Sequence, residues 1–416
     1  MPLPSPTDIS KLPTIVEVLQ RLERMQHNFV ARGGWLQVMP QLQMFQQIGL
    51  DNPFCSLFNN AAPDAFIVNR LASGRYCCKP NIAQTPFLFR GEKKKHPCVV
   101  SAFNRPDNDK DDKLINNLKT ADFVSLVKTH PLCRMFDNGI NLPSFSRTLF
   151  FETNYYGLAQ HYNFNTGLID FSGSALVAAF FAVTENLGGD LYQPITDAGK
   201  YGYGVIYLHG IVPQASFQLF STIGQQVFPR CGAQRAFAFQ ENNTHFNINT
   251  NLQAYYFRHD AECSQKIFDL LDGGKALFPA DELGEHAKAI KEKKEVSFVS
   301  FADNLYSNPQ DTLNGNLERC SAKGITVNPN LNYCFTPDML SSFFADVKNG
   351  IWEQYCASIH FPCSDGNRLK EELLALPKNA NYRQYFDIRY YDKLFYHTLE
   401  DKFRAEQNYH RQKIKT

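Results

Sequence analysis

Apolar positions recur at Ile15, Val18, Leu19 and Leu22, the i, i+3, i+4, i+7 spacing of one helix face. Thr14 and Glu17 stand ahead of them as a capping box. From 31 to 80 no period holds, and Gly33-Gly34 and Asn52-Pro53 interrupt the chain. Pro86 to Phe89 reads as a strand that ends in a turn at Arg90-Gly91. Leu114, Ile115 and Leu118 place a helix over 114–127. Thr166 to Phe171 predicts a short strand, Ser172-Gly173-Ser174 a tight passage, and Ala175 to Val183 a helix apolar nearly all round and therefore buried. Tyr203 to His209 and Arg235 to Gln240 are strand candidates, rich in aromatic and β-branched residues. Helices are expected over 262–271 and 281–293. Asn and Pro dominate 303–336. Thr336-Pro337 then resembles a helix start, and 340–355, 368–376 and 393–412 support helices.

These elements predict an α+β protein: a central mixed or antiparallel β core with helical N- and C-terminal extensions. The expected division is 1–80 as a mostly helical lead-in, 81–300 as the α+β domain, and 301–416 as a helical C-terminal region. No internal repeat is present.

Charge narrows the function classes. The 416 residues hold 42 Lys and Arg against 41 Asp and Glu, a formal net charge of +1. That argues against a polybasic nucleic-acid coat or membrane-surface protein, and leaves a local basic groove open. No apolar run approaches the roughly 20 residues that cross a bilayer. The N-terminus has no basic start followed by an apolar stretch, so a cytoplasmic protein is expected. Eleven scattered cysteines without a Cys-x-x-Cys fit reduced thiols. Cys334, Cys356, His360 and Cys363 are zinc-type ligands, but a buried small apolar role accounts for such cysteines as well, and no metal is expected.

Four constellations carry chemistry. The strand–turn–helix at 166–183 presents free N–H groups and the positive end of a helix dipole at Ser172 to Ser174, which suits a phosphate. Either serine could instead simply cap the helix. Arg90 at a strand end offers fixed donors to a carboxylate or phosphate, and Gly91 leaves room for close approach. Gln160-His161 precedes Asp170, whose charge at the end of an apolar strand needs a partner; Arg90 is the expected one. His161 is a candidate for hydrogen bonding to a ribose or for proton transfer, or else a satisfied core residue. Gln234 cannot act as a base at neutral pH, whereas nearby Glu241 can. Gly202-Tyr203-Gly204 precedes a strand and is no dinucleotide fingerprint. Walker A, HExxH and GxSxG motifs are absent.

In this order the pieces resemble the FRG domain family, named for its Phe/Tyr-Arg-Gly motif. The resemblance runs from Phe89-Arg90-Gly91 through Ser101 to Arg105. It continues through Gln160-His161-Tyr162, Thr166 to Ser172 and Ala178 to Ala182, and closes at Ala233-Gln234-x-x-Phe237, so that it covers about 85–240. Arg235 and Ala236 depart from the Gln or Gly the family commonly has there. The order is also similar to that of ADP-ribosyltransferases, which carry an Arg or His on an early strand, a Ser-Thr-Ser-like strand before a buried helix, and a Glu, sometimes a Gln, on a late strand. The resemblance implies NAD as substrate. It implies Arg90, His161 and Gln234 as catalytic residues. Arg90, Gly91, Thr166, Asp170, Ser172 and Ser174 would contact the dinucleotide, with Gln234 in the place of the late-strand Glu unless Glu241 or Asp170 supplies the charge. The implied activity is ADP-ribose transfer to nucleic acid or protein, of the kind found in bacterial toxins and anti-phage defence. The alternative is a non-catalytic nucleotide-binding sensor or adaptor that works with a partner protein.

Overall fold

The computed structural model of the chain describes residues 8–32, 66–70, 75–80, 86–106, 109–210, 220–223, 228–241, 247–308, 310–361 and 365–394. The expected helix over 393–412 lies almost wholly outside these residues. In chain order, helix α1 (Ile15–Ala31) precedes strands β1 (Phe66–Arg70), β2 (Tyr76–Pro80) and β3 (Phe87–Glu92). Helices α2 (Lys110–Lys128), α3 (Pro131–Asn138) and α4 (Tyr155–His161) lead into β4 (Leu168–Ser172) and α5 (Ala175–Val183). Strands β5 (Thr184–Gly188), β6 (Leu191–Pro194), β7 (Tyr203–Gly210) and β8 (Phe220–Thr222) follow. Next come the short helix α6 (Pro229–Ala233), β9 (Ala236–Gln240), β10 (Gln253–Arg258) and α7 (Ala261–Leu270). Beyond them lie α8 (Glu282–Glu292), β11 (Glu295–Ser297), α9 (Phe298–Ser307) and a series of shorter helices.

The chain forms two compact units. The first comprises 1–70, 77–102 and 167–280, and the second 71–76, 103–166 and 281–416. Each is discontinuous in sequence.

The first unit is built on a six-stranded sheet with the order β10-β7-β3-β4-β9-β8, antiparallel throughout. It is an α+β arrangement around a central antiparallel sheet. One face is covered by α1, α5 and α7. Phe89, Ile206, Leu208 and Phe257 meet the buried side chains of α5 there. The capping box at the start of α1 forms: the Thr14 N–H donates to Glu17 Oε2 at 2.7 Å, and the Glu17 N–H donates to Thr14 Oγ1 at 3.3 Å. On the other face Leu88, Ile169, Phe171, Val205, Tyr207, Phe237 and Phe239 pack with Ile248 and Leu252. A sheet covered on both faces has no reason to alternate apolar with polar, which explains runs such as Ala-Phe-Ala-Phe at 236–239.

The second unit centres on α2, whose polar side chains organise its neighbours. Lys119 donates to the carbonyls of Ile290 and Lys291, each at 2.8 Å, and to that of Lys293, closing the C-terminal end of α8. Asp122, fully buried, accepts from the Ser297 N–H at 3.2 Å and from the hydroxyls of Ser297 and Ser300 at the start of α9. The helix expected over 340–355 is two, Ser341–Lys348 and Ile351–Ala357. Gly350, at φ +92°, breaks it in the left-handed conformation that glycine adopts without strain.

Candidate functional site

Side chains along a strand alternate between sheet faces, and cross-strand partners share one. Arg90 is the register partner of Tyr207, and Glu92 of Val205, so both lie on the face opposite α5. Gly91 turns toward α5, where a Cβ at its position would stand 1.8 Å from the Ala178 carbonyl oxygen. The glycine at 91 therefore serves helix–sheet contact.

The expected Arg90–Asp170 carboxylate pair does not form. Arg90 Nε donates to Glu92 Oε1 at 3.0 Å, and Arg90 Nη1 donates to the main-chain oxygen of Asp170, also at 3.0 Å. The backbone explains this. β3 and β4 share a single register pair, Phe89 with Ser172, and beyond it the guanidinium takes the place of a ladder hydrogen bond. The Asp170 side chain points the other way, since Ile169 and Phe171 face the cluster opposite α5.

On the α5 face, Asp170 is flanked on β9 by its register partner Ala238, and Ser172 by Ala236. Asp170 Oδ1 is shielded from solvent and meets no hydrogen-bond donor among the described residues. Tyr192 is near. Burial first, with the Asp190 and Asp170 carboxylates adding to it, pushes its phenol above the ordinary value. Tyr192 stacks on Phe278 at 5.2 Å between centroids and meets the edge of Phe181 at 5.9 Å. Asp190 is bound by buried Arg230 at 2.8 Å. The result is a carboxylate beside an aromatic wall and a compensated ion pair.

Both serines of the tight passage spend their hydroxyls locally. Ser172 Oγ donates to the Gln234 main-chain oxygen at 2.7 Å and accepts from the Ser174 N–H at 3.0 Å. Ser174 caps α5, accepting from the Val177 N–H at 3.4 Å. Gln234 sits in the turn between α6 and β9 and not on the late strand that the resemblance implies. Arg235, at φ +45°, makes that turn. The Gln234 amide is buried and donates to the Leu277 carbonyl at 3.1 Å. Glu241, just past the far end of β9, accepts from the Ser101 N–H at 2.8 Å. Arg90, Gly91, Asp170, Ser172, Ser174, Gln234 and Glu241 thus share the first unit. His161 and Thr166 belong to the second, where His161 is buried in the last turn of α4 and the Thr166 hydroxyl donates to the Gln160 side-chain oxygen.

The Phe-Arg-Gly strand, the Asp170 strand and the buried helix behind it are thus neighbours in one unit, with the Arg90 guanidinium on the sheet face away from that helix. Residues 85–190 match the FRG domain. The FRG segment holds Arg90, Gly91, His161, Thr166, Asp170, Ser172 and Ser174. Gln234 and Glu241 lie beyond it, so the match is shorter than the 85–240 of the sequence resemblance. Neither a curated protein nor a solved structure matches the chain.

Tyr192, whose phenol is affected by the Asp170 and Asp190 carboxylates, and Arg230, which binds Asp190, carry no sequence signal of their own. Asp190 and Arg230 are 40 positions apart, and only the fold pairs them. Among the described residues no cluster of three or more His, Cys, Asp or Glu side chains could hold a metal ion, and burial pushes the Cys356 thiol far up. No described helix is long and apolar enough to cross a membrane.

Proposed function

We propose that the first unit binds NAD and transfers its ADP-ribose to a macromolecule, with Asp170 as the carboxylate of the reaction. The observation that carries this reading is the Asp170 Oδ1 atom, shielded from solvent and meeting no donor among the described residues, on the sheet face below α5. A carboxylate kept in that state is matched to positive charge that arrives with a substrate. The bond broken is that between the nicotinamide nitrogen and the ribose C1′. Its electron pair neutralises the pyridinium as nicotinamide leaves, and an oxocarbenium-like centre develops at C1′. Asp170 stabilises that centre and accepts a hydrogen bond from a ribose hydroxyl. A nucleophile of the acceptor then bonds to C1′ and releases its proton. The amino end of α5 supplies partial positive charge for the pyrophosphate. Tyr192 and Phe278 offer a face for the nicotinamide ring. Arg90 is a positioning residue: it holds the Asp170 main chain and so fixes the strand that carries the carboxylate. The toxin or defence setting comes with the resemblance and is part of this proposal.

Nicotinamide release by the purified chain tests the reading. Asp170→Asn is expected to lower it by about 10²–10³-fold, the loss typical when a preorganised electrostatic contact to the transition state is removed, while NAD binding persists. Absence of nicotinamide release together with absence of NAD binding by calorimetry overturns the proposal. A second reading, a nucleotide-binding adaptor without chemistry, is favoured by one observation: the neutral Gln234 amide, which the resemblance put in the place of the late-strand Glu, lies in a turn and is committed to the Leu277 carbonyl. It predicts NAD binding without turnover in the parent chain.

A further inference from the structure

At the end of the sheet where β3 and β10 finish and β7 begins, lysines and tyrosines interleave. Lys93 Nζ stands 4.8 Å over the Tyr201 ring, and Lys95 Nζ stands 5.8 Å over the Tyr256 ring. Tyr203 meets Tyr256 edge to face at 5.5 Å. His259 Nε2 lies 2.7 Å from the Lys93 carbonyl oxygen, which ties the lysine segment to the end of β10. The acids nearby are already matched. Glu92 is held by Arg90, Glu185 by Lys200 and the Tyr201 hydroxyl, and Asp260 faces Arg258 at 3.8 Å. Lys93 and exposed Lys94 therefore add positive charge to this rim. All of these residues belong to the first unit.

We propose that the Lys93–Lys95 and Tyr201, Tyr203, Tyr256 rim binds single-stranded nucleic acid. Two features select this partner. Ammonium groups spaced along a turn match a chain of phosphates. Partly exposed rings beside them match unpaired bases, which every sequence presents as flat π-faces. A base that stacks on Tyr201 or Tyr256 moves the overlying lysine onto the adjoining phosphate, so the cation–π contact becomes an ion pair. An acidic peptide would use the lysines and leave the tyrosine faces idle. A duplex hides its base faces. The near-zero charge of the whole chain fits a local site of this kind. As the class of acceptor, single-stranded nucleic acid rests on the transfer reading above; as a binding site it stands apart from it.

The test is fluorescence anisotropy of the full chain, without NAD, against oligo(dT) and oligo(U) of about 15 nucleotides, the upper range of a single-strand site. The comparisons are a blunt duplex and phosphatidylserine vesicles. Single strands are expected to bind, with an affinity that falls as salt rises. Lys93→Glu with Lys94→Glu, a change at the surface, is expected to abolish the complex or to reduce the log–log salt slope by about 1.4, from two lost phosphate contacts at 0.7 each. Tyr256→Phe is expected to bind as the parent does. Tyr256→Ala is expected to weaken binding about 5- to 150-fold, with its thermal melt checked against that of Tyr256→Phe. The two oligonucleotides decide between DNA and RNA. Binding to neither, binding indifferent to the lysine reversals, preference for the duplex, or binding to vesicles alone overturns the proposal. Because no NAD is present, absent nicotinamide release leaves this result standing, and an absent oligonucleotide complex leaves the transfer proposal standing.

Discussion

Arg90 and Asp170 show what one residue's orientation decides. The two were expected as an ion pair, and they do touch, but through a main-chain oxygen. The alternation of side chains in β4 sends the carboxylate to the opposite face. The cost of an unpaired charge on an apolar strand suggested the pair; only the strand register indicates which atom meets the guanidinium. Arg90→Ala would leave the Glu92 carboxylate, 12% exposed, without its cation and the β3–β4 seam without its donor. A loss of roughly 3 kcal/mol in urea unfolding is expected, with Arg90→Lys intermediate because one ammonium cannot reproduce both contacts. Gly91→Ala is expected to be worse than ordinary overpacking, above about 3 kcal/mol, because the added methyl meets the Ala178 carbonyl and not a movable side chain. A stable Gly91→Ala protein would contradict the close helix–sheet approach.

Among the elements, those with a strong local cause were readable. The Thr14 capping box, the all-apolar α5 and the strand before it appear where the pattern put them, within a residue or two. The hairpin of β5 and β6, helix α3 and the break at Gly350 were not anticipated, because nothing in their periods sets them apart from loops or longer helices. Ser174→Ala removes the cap of α5 and is expected to cost about 0.5–2 kcal/mol, read as a fall in melting temperature. The start of α9 carries a pH dependence. Burial raises the Asp122 carboxyl to about 6 from an ordinary 3.8, against the lowering hydrogen bonds of Ser297 and Ser300. The folded chain therefore holds this proton more tightly than the unfolded chain does. The associated stability is fully present below about pH 3.8 and declines as pH rises toward 6, by roughly 3 kcal/mol in all. Asp122→Asn should lose that slope. Its stability relative to the parent, from urea midpoints at pH 4 and pH 7, should rise by that order across the window, and parallel curves would disprove the assignment.

For the whole molecule, the α+β class and the FRG motif order were legible, because they rest on local patterns. The near-neutral composition likewise left room for a basic patch while excluding a basic coat. What surrounds Asp170 was not legible. Tyr192 is brought beside the Asp170 carboxylate, Phe278 against Tyr192, and Arg230 onto Asp190, from separate stretches of chain that only the fold joins. The sheet itself has a consequence for dissection. The matched stretch 85–190 holds β3 and β4 of its six strands, joined by a single register pair, while β7 and β9, which flank them on either side, come later in the chain. Expressed alone, that stretch should lack cooperative unfolding and bind hydrophobic dyes, whereas the full chain should melt cooperatively. A ribosome that has delivered the signature tripeptide and its companion strand has delivered two planks with open edges. They must be sheltered until the later strands emerge to close them.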